Sequence, residues 1–384
     1  MPQGEMPQGE LPRVVEEAYR WWREGEPFAR ATVVDTWHSS PLPPGAGMLV
    51  GPDGSAVGSV SGGCVEGAVY ELAQEVVAAG TPVLQRYGVS DDDAFAVGLT
   101  CGGTIHVYVE RIDPATFPEF GEVAAAVRAG APVAEVTCVA VEGPDPEGRL
   151  GRRLVVRPEG TTGSLGSERL DEAAAEAARG MLAGGRTGTL RHGYDGRPLG
   201  SELTLFVSAH AAPPRLLVFG AVDFAAALAR LGGFLGYRVT VCDARPVFAT
   251  RRRFPEAHEV VTDWPHRYLR AEAEAGRLDE RTAVCVLTHD PKFDVPLLEV
   301  ALRLPLGYVG AMGSRRTHDD RLRRLRERGL GEDLLARLSS PIGLDLGART
   351  PEETAVSIAA EIVADRWGGS GTRLTSRTGR IHSG

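Results

Sequence analysis

The chain has 384 residues, 43% of them apolar, which is enough for two or three domains with real cores. Its formal net charge is −9 and no basic stripe runs through it, which excludes nucleic acid and anionic membranes as partners. Five cysteines without scaffold spacing, no signal-peptide pattern and no apolar run of about 18 residues point to reduced thiols in the cytoplasm.

The sequence opens with MPQGEMPQGE, a duplicated pentapeptide without apolar periodicity, read as a disordered tail over 1–10. A first domain is expected over 11–210, and it contains an internal echo. PDGSAVGSVSGGCVEGAVYELAQEVVAAGTPVLQRYG begins at Pro52, and PEGTTGSLGSERLDEAAAEAARGMLAGGRTGTLRHG begins at Pro158. Both run turn, short strand, Gly/Ser loop, Ala-rich helix, glycine stop, then a strand ending in Arg-x-Gly at Arg86 and Arg191, offset by about 105 residues. Apolar strands are expected before each copy (31–35 and 134–141) and after each (104–110 and 202–207). The spacing predicts a duplicated α+β domain with pseudo-repeats at about 30–112 and 132–208.

Three cysteines, Cys138, Cys242 and Cys285, sit in apolar runs (VTCVAV, VTVCDA, AVCVLT) that read as buried strands, where cysteine acts as a small hydrophobe. The other two lie on glycine loops of the first repeat. Cys64 ends GSVSGGC just before a helix expected over 65–79. Unpaired N–H groups and partial positive charge at such a terminus lower a thiol's pKa and favour an anion nearby. Gly62 and Gly63 permit close backbone approach; the alternative is a buried cysteine filling space under a glycine turn. Cys101, followed by Gly102 and Gly103, precedes the strand TIHVYVE. In the second repeat Ser167-Glu168-Arg169 replaces Gly62-Gly63-Cys64 and no cysteine matches Cys101. The scaffold is repeated and the thiols are not, which favours function over packing. Zinc is not expected, because there is no CxxC and no finger-spaced partner. A nucleophile–base pair with His38 or His106 is conceivable, although His106 also reads as an outward strand residue.

Ala211-Ala212-Pro213-Pro214 is read as a linker over 211–214. From 215 to 368 apolar strands (215–219, 238–242, 259–261, 283–288, 307–309) alternate with helical or polar stretches. That alternation predicts a parallel sheet covered on both faces, a Rossmann-like domain. The fold class is therefore α/β, a duplicated α+β domain followed by a parallel-sheet domain. Its first turn, Gly220-Ala221-Val222-Asp223-Phe224-Ala225, keeps one glycine of the dinucleotide fingerprint. Val222 adds a side chain, and Asp223 a negative charge, where pyrophosphate would lie. Asp243 ends the second strand, placed for a ribose hydroxyl or for capping the turn beside Arg245. NAD(P) is thus not the expected ligand. Thr288-His289-Asp290 ends a later strand, with Asp294 following. Gly310–Ala311 leads into Gly313, Ser314, Arg315 and Arg316, whose hydroxyl and paired arginines suit phosphate or a similar oxyanion. The alternative for Arg315 and Arg316 is a solvated helix start. The last helix carries Thr350 as N-cap, Pro351 at the first position and Glu353 closing a capping box. Residues 369–384 read as a second disordered tail.

Several long motifs in order, GSVSGGCVEGAVYELA, GLTCGGTIHVYVE, LTHDPKFDVPLLEVAL, YVGAMGSRRTHDDRL and PIGLDLGARTPEETAVSIAAEI, resemble the XdhC/CoxI family of xanthine dehydrogenase accessory factors. The resemblance implies a protein that binds molybdenum cofactor (molybdopterin) and helps insert it, in sulfurated form, into a molybdenum hydroxylase, working alongside a cysteine desulfurase. It makes Cys64 and Cys101 candidate ligands of the metal or its sulfur. It makes His289, Asp290 and Gly313–Arg316 candidates for the pterin or phosphate. Many members carry a fuller glycine turn than Gly220–Ala225. The expectation is a carrier rather than a turnover enzyme, with a homodimer left open. The rival readings are an NAD(P)-dependent oxidoreductase and a pure interaction scaffold, in which both cysteines would be dispensable. The chain carries no iron–sulfur cysteine run.

Overall fold

The computed structural model describes residues 13–37, 42–88, 103–145, 147–198 and 200–377. The tail expected over 1–10, His38, Cys101 and Gly102 lie outside the described residues. The chain divides into one unit reaching Ala212 and a second over Pro213–Arg377.

The first unit begins with α1 (Arg13–Glu24) and then builds the same substructure twice. The first half contains β1 (Phe28–Trp37), β2 (Gly47–Val50), β3 (Ala56–Gly58), α2 (Glu66–Ala79), β4 (Val83–Gly88) and β5 (Thr104–Ile112). After α3 (Phe120–Arg128), the second half repeats the order with β6 (Val133–Val141), β7 (Arg153–Val156), β8 (Thr161–Gly163), α4 (Glu168–Ala183), β9 (Gly188–His192) and β10 (Leu203–His210). The antiparallel sheets have matching strand orders, β3-β2-β1-β5-β4 and β8-β7-β6-β10-β9.

Alternation along the strands explains the layering. In β1, Ala29, Ala31 and Val33 face α2, whose Val69, Ala73 and Val76 close that core. In β6, Ala134, Val136 and Cys138 do the same against Ala174, Ala175 and Ala178 of α4. The intervening residues turn the other way and bring the two sheets together. Phe28, Ile112, Val133 and Val155 share one cluster, and Val34, Tyr108, Val139 and Phe206 another. Between them Arg30 bonds Glu110 and reaches Glu135 of the other half at 2.9 Å, while Arg153 bonds Glu110.

The second unit is a six-stranded parallel sheet in the order β13-β12-β11-β14-β15-β16: β11 (Arg215–Phe219), β12 (Arg238–Asp243), β13 (Glu259–Thr262), β14 (Ala283–Val286), β15 (Tyr308–Ala311) and β16 (Leu338–Ser339). The helices are α5 (Asp223–Phe234), α6 (Pro265–Glu274), α7 (Pro291–Ala301), α8 (Arg315–Glu327), α9 (Glu332–Leu335) and α10 (Pro351–Trp367). Within β11, Leu217 and Phe219 pack toward α6, α7 and α8, while Leu216 and Val218 pack toward α5 and α10. The sheet is therefore covered on both faces, the Rossmann-like architecture expected. Thr350, Pro351 and Glu353 form the capping box of α10. The strand expected to reach 288 stops at Val286, leaving Thr288–Asp290 in a loop. Residues 369–377, expected as tail, include a 3-10 turn at Leu374–Ser376.

Candidate functional site

Cys138, Cys242 and Cys285 are at most 1% exposed, and burial raises each thiol's pKa, that of Cys138 to about 12. They are packing residues. Cys64 differs: it is half-buried and packs partly on the core of the first half. Gly62 and Gly63 before it have φ of +73° and +118°, and among the described residues a Cβ on either would meet nothing within 4 Å. Here the chain is bare backbone, held in a conformation that favours glycine, with no described residue crowding it.

What holds this loop is a carboxylate that the sequence motifs do not single out. Glu66 accepts hydrogen bonds from the amides of Ser61 (2.9 Å), Gly63 (2.8 Å), Val60 and Val65 (both 3.2 Å), and from the hydroxyls of Ser59 and Ser61 (both 2.6 Å). The Gly62 amide donates to Ser59 and the Cys64 amide to Ser61. Burial would raise the Glu66 pKa, but the serine hydroxyls and the Ser61 amide bring it down to about 2. The amides of the loop itself, from Val60 to Val65, are therefore already taken by Glu66 and the two serine hydroxyls. A signal was present. At the repeat offset Asp171 stands opposite Glu66, and it accepts from the Leu165 amide (2.7 Å) and the Ser164 hydroxyl (2.7 Å). A carboxylate stands at this place in both loops, so the device belongs to the scaffold. Gly103, just before β5, is buried; His106, on β5, is half-exposed and 3.8 Å from Asp35.

In the second unit the sheet order reverses direction between β11 and β14, the switch point where open α/β sheets form a crevice at their carboxyl edge. The edge brings together Gly220 after β11, Asp243 ending β12, His289 and Asp290 beyond β14, and Gly313 with Ser314 beyond β15. Gly220 has φ +112°, and a Cβ there would stand 2.8 Å from Thr288 Cγ2 and 3.0 Å from its nitrogen. Asp243 accepts from the Ala221 amide (2.7 Å) and from Arg245 through both oxygens (2.9 and 2.8 Å). Burial would raise its pKa, but Arg245 and the Ala221 amide hold it below the usual range. Asp243 thus caps the turn, which leaves a ribose hydroxyl little to bond. Asp223 at the turn is 86% exposed and pairs with Arg253.

Asp290 caps α7 through the Lys292 amide, and His289 is exposed. Ser314 caps α8 through the Thr317 amide. Arg315 and Arg316 are exposed and make no ion pair among the described residues. Beneath them lies a buried network. Arg321, 3% exposed, donates to Asp294 (3.0 Å), the Met312 carbonyl (2.9 Å) and Ser340 (2.9 Å), while Thr288 bonds Asp294. Burial raises the Asp294 pKa more than its partners lower it. The network ties the loop after β14 to the loop after β15 and fixes the crevice floor. Arg321 is hard to see in the sequence because it lies in RRTHDDRLRRLRER, where charge density suggests solvent; its spacing to the buried Leu325, one turn on, was the available signal. Among the described residues no group of three or more His, Cys, Asp or Glu is arranged to hold a metal, and no helix is long and apolar enough to cross a membrane.

Comparison with known proteins agrees with this architecture. The profile of the XdhC and CoxI family matches twice, over 21–88 and 126–193, and the profile of the XdhC Rossmann domain matches 216–362. A Bacillus subtilis protein, named as a probable component of xanthine dehydrogenase, is 29% identical over 88% of this chain and 92% of its own length. The molybdenum cofactor insertion chaperone PaoD of Escherichia coli is 27% identical over 89% of this chain and 84% of its own. The crystal structure of a xanthine dehydrogenase from Bacillus halodurans superposes with a TM-score of 0.66 at 26% identity, covering 94% of this chain and 97% of that one. With the duplicated N-terminal fold and the parallel-sheet unit matched in order, this chain belongs to the XdhC and CoxI family.

Proposed function

We propose that this chain binds molybdenum cofactor as cargo and delivers it to a molybdenum hydroxylase of the xanthine dehydrogenase type, as a carrier rather than a turnover enzyme. The observation that carries the reading is Cys64: a half-buried thiol on a positive-φ glycine loop, in a half-domain whose sister has no thiol at that place. Thiolates are soft ligands, suited to a metal that bears sulfur. The loop fits only the metal end of the cargo, because Glu66 already holds its amides. Cys101, followed by Gly102 and Gly103, is proposed as the second thiol on sequence pattern.

In the second unit, Ser314, Arg315 and Arg316 at the start of α8 are proposed to grip the phosphate, with His289 and Asp290 bordering the same sheet edge. A cysteine desulfurase is proposed as the source of the terminal sulfur. The names of the matched relatives support the reading, since one is a molybdenum cofactor insertion chaperone. The oxidoreductase rival is disfavoured by Asp223 at the glycine turn and by the engagement of Asp243.

The test is to purify the protein from molybdenum-replete cells, assay bound pterin and molybdenum, and add it to a cofactor-free molybdenum hydroxylase. Co-purifying pterin and metal, followed by restored activity in the recipient, is the expected result. Tight NAD binding with no pterin would replace this reading with the oxidoreductase.

A further inference from the structure

The last helix of the second unit has two apolar faces. Ala355, Ile358, Ala359 and Ile362 of α10 pack into the core shared with α5. On another side Val356, Val363 and Trp367 are 50%, 41% and 70% exposed. At 3.6 residues per turn these three and the half-buried Ala360 fall within an arc of about 60°, so they form one stripe. Single exposed apolar side chains are ordinary, but a stripe about three turns long on one helix marks a surface that another protein covers.

The charges beside the stripe indicate what that protein is. Glu352 precedes the stripe and Arg366 adjoins its far end, and helical spacing puts both on the same side of it. Neither makes a hydrogen bond or an ion pair among the described residues, and Arg366 only covers the Trp367 ring, 4.9 Å from its centre. A two-fold axis between two such helices runs them antiparallel and sets like sides together. With Val356 of one copy level with Val363 of the other, Ala360 of each falls beside the axis. The same register leaves Glu352 only about 1.5 Å along the helix from the level of the other copy's Arg366. One setting thus matches the valines, puts the smallest side chain of the stripe where the helices come closest, and joins opposite charges twice.

We propose that α10 is the contact surface for a second copy of this chain, the two helices packing antiparallel across a two-fold axis beside Ala360. Val356 packs on Val363, Trp367 lies over the first turn of the other helix, and Glu352 pairs with Arg366. A single helix pair covers less than the roughly 800 Å² a side of a stable interface, so the dimer is reversible and forms in the micromolar range. Neither cargo nor cysteine takes part in this contact.

Sedimentation velocity of the full chain over a graded concentration series tests this contact. Wild type is expected to pass from monomer to dimer, and Val363→Glu to weaken the dimer about tenfold or more, because it places two carboxylates inside the stripe. Glu352→Arg and Arg366→Glu should each weaken it about fivefold by turning attraction into repulsion, while the variant carrying both changes restores it. All three positions are exposed, so an unchanged unfolding midpoint is the check that each variant folds. A wild type that stays monomeric, a dimer indifferent to Val363→Glu, or a double variant no better than either single change overturns the proposal. Molybdenum loading through Cys64 would survive any of these outcomes, so the two failures are distinguishable.

Discussion

The loops before α2 and α4 solve the same problem with different parts. In the second half Ser167, at φ −153°, caps the helix conventionally through the Leu170 amide, and Asp171 has only one amide and one hydroxyl to hold. In the first half the cap position is Val65, which offers no side-chain bond, and Gly62 and Gly63 turn through positive φ to expose Cys64. Glu66 compensates by gathering four amides and two hydroxyls. Val60 and Leu165, at equivalent places, are fully buried in both. The shared parts are scaffold, and in the first half one carboxylate gathers more of the loop's donors, beside a thiol that the second half lacks.

The largest expected effect lies where the halves meet. Arg30→Met leaves Glu110 and Glu135 buried without their shared partner, and should cost about 3–5 kcal/mol in denaturant unfolding. A loss below about 1 kcal/mol would mean the halves do not depend on this cluster. Next comes the loop pair: Glu66→Ala should cost about 2–3 kcal/mol and Asp171→Ala about 1 kcal/mol, scaled to the amides and hydroxyls each leaves unmet. Equal losses would erase the asymmetry between the halves.

A separate effect appears in acid. Glu66 and Glu135 both titrate near 2 in the folded protein against an ordinary 4.5. For Glu135, burial opposes ionisation, and the Arg30 charge with the His210 bond outweighs it. Because these folded-state pKa values are depressed, the stability they give is fully present above about pH 4.5 and is lost as pH falls toward 2. Glu66→Gln should flatten the stability curve in that window, and an unchanged slope would remove Glu66 from the account.

The duplication was readable because the two copies keep a constant offset through a turn, a loop, a helix and a strand. The parallel sheet was readable because its strands are apolar on both faces, as β11 and β14 show. The site was harder, for a physical reason: a charged residue in a sequence looks the same whether solvent or protein neutralises it. Glu66 reads as an ordinary first-turn acid and Arg321 as surface, while Asp243 reads equally as a ribose ligand or a turn cap, yet each is held by protein groups. Tyr108 reads as one more strand residue, and only the packing of two sheets shows that its hydroxyl has nothing to bond.

The central claim is that Cys64, and not the scaffold it stands on, holds the cargo. Molybdenum retained per chain after gel filtration tests it most directly, comparing wild type, Cys64→Ser and Arg169→Ser, the last at the equivalent place in the sister loop. The account predicts that Cys64→Ser loses at least tenfold of the bound molybdenum at unchanged stability, while Arg169→Ser retains it. Full retention by Cys64→Ser would contradict the account and return the glycine loop to a structural role.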